Sequence, residues 1–166
     1  MKKFLILMAA LTMAVTTAVS TPSWAAERQG KFQLGGGVGL GFNDPIHFDL
    51  QIMGDYFFWE HVSVGMNIDF LIRDGVVFVF QPFGRYHFDI PSAPEWVPYV
   101  GGGLGVAVSD DGDAAMDIMV PNFGFKYELI DDDLFLGTDM SLHVITDFDN
   151  TTWDFRWLIV HAVWRF

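Results

Sequence analysis

The chain has 166 residues, with 9 Lys and Arg against 21 Asp and Glu, no cysteine and a formal charge of −12 at pH 7. This length fits one domain. With 51% hydrophobic and 18% charged residues, the composition excludes a disordered chain, and the lack of cysteine excludes a disulfide scaffold or a cysteine-ligated metal centre. The acidic balance also argues against a nucleic-acid binder, which needs cations to offset phosphate.

The predicted elements begin with a leader. Met1-Lys2-Lys3 is a positive start, Phe4 to Val19 an apolar stretch, and Ser20 to Ala25 a breaker that ends in small residues at the cleavage positions. Cleavage is expected after Ala25, giving a signal peptide over 1–25 and a mature domain over 26–166 with a charge of −14 once Lys2 and Lys3 are lost. Beyond the leader there is no apolar run of about 18 residues that would cross a bilayer as a helix.

The rest alternates with period two, the signature of half-buried strands. Eight strands are expected, over 30–42, 46–58, 62–73, 76–88, 96–108, 114–127, 134–146 and 153–166. Turn residues separate them, among them Asn43-Asp44-Pro45, Arg73-Asp74-Gly75, Asp110-Asp111-Gly112-Asp113 and Asp131-Asp132-Asp133. In the second strand Ile46, Phe48, Leu50, Ile52 and Phe58 alternate with His47, Asp49, Gln51 and Asp55. A soluble barrel turns the apolar set inward, whereas a membrane barrel turns it out to lipid.

Three features favour lipid. The polar faces are rich in glycine (35, 37, 39 and 41, then 101, 103 and 105), which suits a narrow lumen that must fit long side chains from facing strands. Only two lysines, Lys31 and Lys126, follow the leader, too few to solvate an exterior. Finally, if the first strand starts on the periplasmic side, Tyr56, Trp59, Tyr86, Trp96, Tyr99 and Tyr127 fall at one membrane boundary, as an interfacial girdle requires. The fold class is therefore all-β, an eight-stranded antiparallel up-and-down transmembrane barrel.

The stretch Val97-Pro98-Tyr99-Val100-Gly101-Gly102-Gly103-Leu104-Gly105-Val106 resembles a strand opening common among small outer-membrane barrels. The terminal Val163-Trp164-Arg165-Phe166 is similar to the aromatic signal read by the bacterial barrel-insertion machinery, with Trp164 and Phe166 as its ring residues. Over residues 30–166 the resemblance is to the β-barrel domains of the outer membrane protein A and X type. It implies a Gram-negative outer membrane, with membrane lipids, lipopolysaccharide and the insertion machinery as partners, and a monomer. The chain departs from the pattern in its very short presumed external connections and in its longest connection, 89–95, which falls on the periplasmic side.

Two strands break the alternation. Around Pro121 the apolar parity switches from Ile118 and Val120 to Phe123, Phe125 and Tyr127, as a bulge at the proline would produce. In the last strand Leu158, Val160, Ala162, Trp164 and Phe166 are read as lipid-facing, which leaves Ile159, His161 and Arg165 inside and Arg156 near the outer headgroups.

The expected lumen network comprises Lys31, Asp49, Asp55, Asp69, Arg85, Asp139, His143 and Arg165, with Asp117 and the histidines at 47, 87 and 161 beside it. Arg85 is the expected hub for Asp55 and Asp69. Charges in a low-dielectric lumen must be paired or hydrated. The four histidines have no metal-ligand spacing, the glycine runs match no phosphate loop, and neither a metal nor a cofactor is expected. His61-Val62-Ser63 and Ser141-Leu142-His143, the latter with Asp139 nearby, have a base–nucleophile spacing. The expectation is a non-enzymatic structural or envelope role. A narrow channel for small ions or solutes is the alternative, and a lipid A-modifying barrel enzyme comes third.

Overall fold

A computed structural model describes residues 28–43, 45–130, 133–147 and 149–166. The expected leader, 1–25, lies outside them. Eight strands follow in chain order: β1 (Phe32–Gly41), β2 (His47–Trp59), β3 (Val62–Ile72), β4 (Val76–His87), β5 (Trp96–Ser109), β6 (Ala114–Ile130), β7 (Leu134–Thr146) and β8 (Thr151–Arg165). Each pairs antiparallel with its chain neighbours, and β1 pairs with β8 to close the barrel. Closure removes both sheet edges, so every strand can satisfy its backbone within the wall, the condition for spanning a bilayer.

The side chains are arranged inside out relative to a soluble protein. In β2, His47, Asp49, Gln51, Met53, Asp55 and Phe57 are buried, while Phe48, Leu50, Ile52, Tyr56 and Phe58 are exposed. Leu34, Phe80, Leu104, Val106, Phe123 and Trp157 continue the exposed apolar surface around the wall. Such a continuous apolar exterior is an immersed surface, because water-facing patches on monomers are far smaller.

Both irregular strands carry bulges. In β6, Val120 and Pro121 both face outward, and pairing with β7 jumps from Met119–His143 to Asn122–Ser141. Phe123, Phe125 and Tyr127 consequently face out and Lys126 faces in. In β8 the extra residue lies at Ile159–Val160, both exposed, and pairing with β1 jumps from Val38–Val160 to Gly39–Leu158. This corrects the expected register: Leu158 is buried, Ile159 is outside, and Arg156 is in the lumen instead of at the headgroups. An unbroken alternation from Phe166 back to Leu158 missed the inserted residue, and one residue of slip reverses every face beyond it.

The connections at 42–46, 73–75, 110–113 and 147–150 gather at one end, here called distal. The opposite, proximal end carries the longer 88–95 connection. At the distal end Asp147 Oδ1 accepts the N–H groups of Asn150 (2.6 Å) and Asp149 (3.0 Å), which hold its carboxyl below the usual range.

Candidate functional site

The lumen forms three polar layers. In the proximal layer Arg28 Nη1 meets Asp89 Oδ1 at 2.9 Å, and His61 Nδ1 lies 3.3 Å from Asp89 Oδ2. Ser63 Oγ and His87 Nε2 share a hydrogen bond of 2.9 Å, and the Arg165 guanidinium lies over the Phe135 ring at 4.3 Å.

In the middle layer Lys126 Nζ donates to Gln33 Oε1 at 2.6 Å and lies 3.8 Å from Asp55. Tyr99 donates its hydroxyl to Asp139 Oδ2 at 2.8 Å. Arg85 donates Nε to Asn122 Oδ1 at 3.1 Å and approaches Asp139 at 3.7 Å, its guanidinium over Phe83 and Tyr99. Glycine makes room here: a Cβ at Gly124 would lie 2.7 Å from the Tyr99 hydroxyl and would also press on Asp139.

The distal layer is organised by Arg156. Its Nε donates to Asp154 Oδ2 at 2.7 Å and its Nη2 to Asp117 Oδ2 at 3.1 Å, while Nη1 lies 3.6 Å from Asp69. Asp49 is buried on neighbouring β2. His143 completes the layer. Its Nδ1 is 2.7 Å from Asp117 Oδ1 and its Nε2 is 2.9 Å from Ser141 Oγ. A carboxylate only accepts, so Nδ1 carries a proton, and Nε2 shares the remaining hydrogen bond with the serine hydroxyl.

Several expected site residues stand elsewhere. Lys31 is exposed, outside the lumen, because the Arg28–Lys31 turn, with Gly30 at φ 82°, takes the chain out of the strand before it. Tyr99 is buried in the lumen and is no girdle residue. It shares parity with Gly101, Gly103 and Gly105, so it cannot face lipid together with Trp96. Tyr56, Trp59, Trp96 and Tyr127 face outward, as do Trp164 and Phe166. Tyr86 is half-buried and packs on Phe88 and His61. Asp49, Asp55, Asp69, Arg85, Asp139, His143 and Arg165 all lie inside, but Arg85 serves Asn122 and Asp139 where Asp55 and Asp69 were expected. The acid beside His143 is Asp117, not Asp139. The missed residues include Lys126, Asn122, Arg156, Asp154, Arg28 and Asp89; the parity break at Pro121 carried the signal for Asn122 and Lys126, and none stood at Asp154 and Arg156 without the bulge.

Above the distal layer a cavity of about 390 Å³ opens between the connections, lined by His47 and Asp154 with Leu71, Val77, Ala107 and Ile145 as apolar wall.

No family model matches the chain, and no curated protein matches it. Solved structures do. The N-terminal β-barrel domain of Pseudomonas aeruginosa OprF matches with a TM-score of 0.62 at 16% identity, over 83% of this chain and 98% of that one. Neisserial surface protein A matches with a TM-score of 0.60 at 14% identity, over 81% and 94%. The outer membrane protein OprG of P. aeruginosa gives 0.55 at 13%, over 84% and 97%. The fold is that of the small eight-stranded outer-membrane β-barrels. The barrel fold is thus shared with proteins of quite different sequence, while its lumen residues must be read on their own terms.

Proposed function

We propose that this barrel is an integral outer-membrane protein with a non-enzymatic role in the envelope, its lumen sealed against ions and its distal end facing outward. On this reading it is a monomer whose partners are the surrounding lipids, lipopolysaccharide among them, and the insertion machinery. The observation that carries the sealed lumen is the packing of the middle and proximal layers, where Met53, Phe57, Phe83, Arg85, Tyr99, Lys126 and Phe135 are each at most 5% exposed. Side chains can fill a barrel of eight strands. Reconstitution in planar bilayers should therefore give no unitary current. Steady single-channel steps would overturn the sealed lumen and favour a narrow pore.

A second reading has a specific observation behind it, since Asp117, His143 and Ser141 stand in acid–base–nucleophile order. Against it, Ser141 and His143 are buried, neither lines the distal cavity, and Asp117 is held by Arg156. A nucleophile needs space for the group it attacks. Overexpression should leave lipid A unchanged in mass, and a change lost in Ser141→Ala would establish the enzyme.

A further inference from the structure

The distal cavity has features that the sealed-barrel reading does not use. Buried charge is unevenly distributed along the lumen. Among the described buried residues, Asp49, Asp69, Asp117 and Asp154 stand near the cavity with Arg156 as their cation, whereas Arg85, Lys126, Arg165 and Arg28 stand toward the proximal end with Asp55, Asp89 and Asp139. A low-dielectric wall focuses such an imbalance, so the distal opening draws cations.

A buried lining residue adds a specific contact. Asp154 is 1% exposed, and its Oδ2 serves both Arg156 and His47; Oδ1 has no hydrogen-bond partner, a state it shares with Asp49 Oδ1 and Asp69 Oδ1, but of the three only Asp154 lines the cavity. An unpartnered buried carboxylate oxygen is costly and calls for a donor. Asp113 and Asp147 add carboxylates at the opening, against Arg73. Opposite Asp154 the wall is apolar, with Leu71, Val79 and Ala107 packed as a cluster and Val77 against it. Apolar walls with a few placed polar groups, in a space of some hundreds of Å³, are what small organic ligands require. A bare metal ion would leave the apolar wall unused, and the described residues hold no cluster of three metal-ligating side chains.

We propose that the distal cavity binds a small organic ammonium compound, its N–H donors on Asp154 and its apolar body against Leu71, Val77 and Ala107. Binding does not depend on whether the lumen conducts. Only the cavity's opening to the cell exterior rests on the orientation given above.

The test uses tyramine as probe and 4-hydroxyphenylacetate as its charge-reversed counterpart, with the detergent-refolded chain followed by calorimetric titration and saturation-transfer NMR. Tyramine should bind saturably and the acid should not. Asp154→Asn should weaken tyramine about tenfold or more, the size of one charge-assisted hydrogen bond. Because that change also touches Arg156, Ala115→Leu is the second variant: it fills the cavity from β6, leaves the ion pairs intact and should abolish binding. Equal uptake of amine and acid, tyramine binding that is unchanged in Ala115→Leu, or displacement of tyramine by calcium at constant ionic strength would each overturn the proposal.

Discussion

Arg156 shows at one residue what the lumen demands. It is 2% exposed, and its guanidinium faces Asp154, Asp117 and Asp69. Removing one partner of a buried ion pair costs about 3–5 kcal/mol, because the remaining charge stays buried. Arg156→Gln should lower the unfolding free energy in urea by that amount, whereas exposed Lys31→Gln should change it by less than about 0.5 kcal/mol. Equal losses in the two variants would contradict these placements. Gly41 offers a second measurement. A Cβ there would meet the His47 ring, three of whose atoms are its nearest neighbours. Gly41→Ala should cost about 1–3 kcal/mol, as overpacking does, and Gly41→Ala combined with His47→Ala should recover most of it relative to His47→Ala alone. Lack of recovery would place the clash in the backbone. Residue identity alone could not have assigned these roles. Lys31 has lumen parity and loses it to the turn at Gly30. Tyr99 has girdle chemistry but lumen parity, and parity prevails because a strand offers its side chain only two directions.

Strands are the best-recorded level in the sequence, because alternation against lipid is enforced residue by residue. All eight expected strands occur, and their ends move by no more than three residues. The bulges were unequally legible. Pro121 marked the one in β6, since it cannot donate to a ladder. The one in β8 falls on Ile159–Val160, two apolar residues with nothing to distinguish them from regular strand. Its energetic weight can be measured. Deleting Ile159 leaves Val160 as the one outward residue between Leu158 and His161, so strict alternation is restored with Asp154, Arg156, His161 and Arg165 all still in the lumen and the ladders to β1 and β7 continuous. The deletion should therefore keep the heat-modifiable gel mobility of a folded barrel, and loss of that mobility would show that the extra residue is itself needed for closure.

At the scale of the whole molecule, the orientation of the wall is testable through its tryptophans. Trp59, Trp96, Trp153, Trp157 and Trp164 are all at least 37% exposed and none is in the lumen. Bilayers with brominated acyl chains should therefore quench most of the tryptophan fluorescence of the barrel over residues 28–166, and acrylamide should quench little. The opposite ranking would mean that the apolar face does not meet lipid. Barrels of unlike sequence preserve a wall geometry and not the contents of the lumen, which is why the fold by itself assigns no lumen residue a role.

The reach of the ion pairs also governs how the barrel can come into being. Lys126 and Gln33, joined across the lumen, lie 93 residues apart in the chain, and Asp69 of β3 finds its cation only on β8. A half-assembled sheet in the bilayer would present Asp49, Asp55 and Asp69 to hydrocarbon with no counter-ion, so no partial barrel is a resting place. The arrival of the last strand, which brings Arg156 to Asp69 and Asp117, therefore completes the pairing of the lumen, and assembly in lipid is expected to be cooperative up to that step.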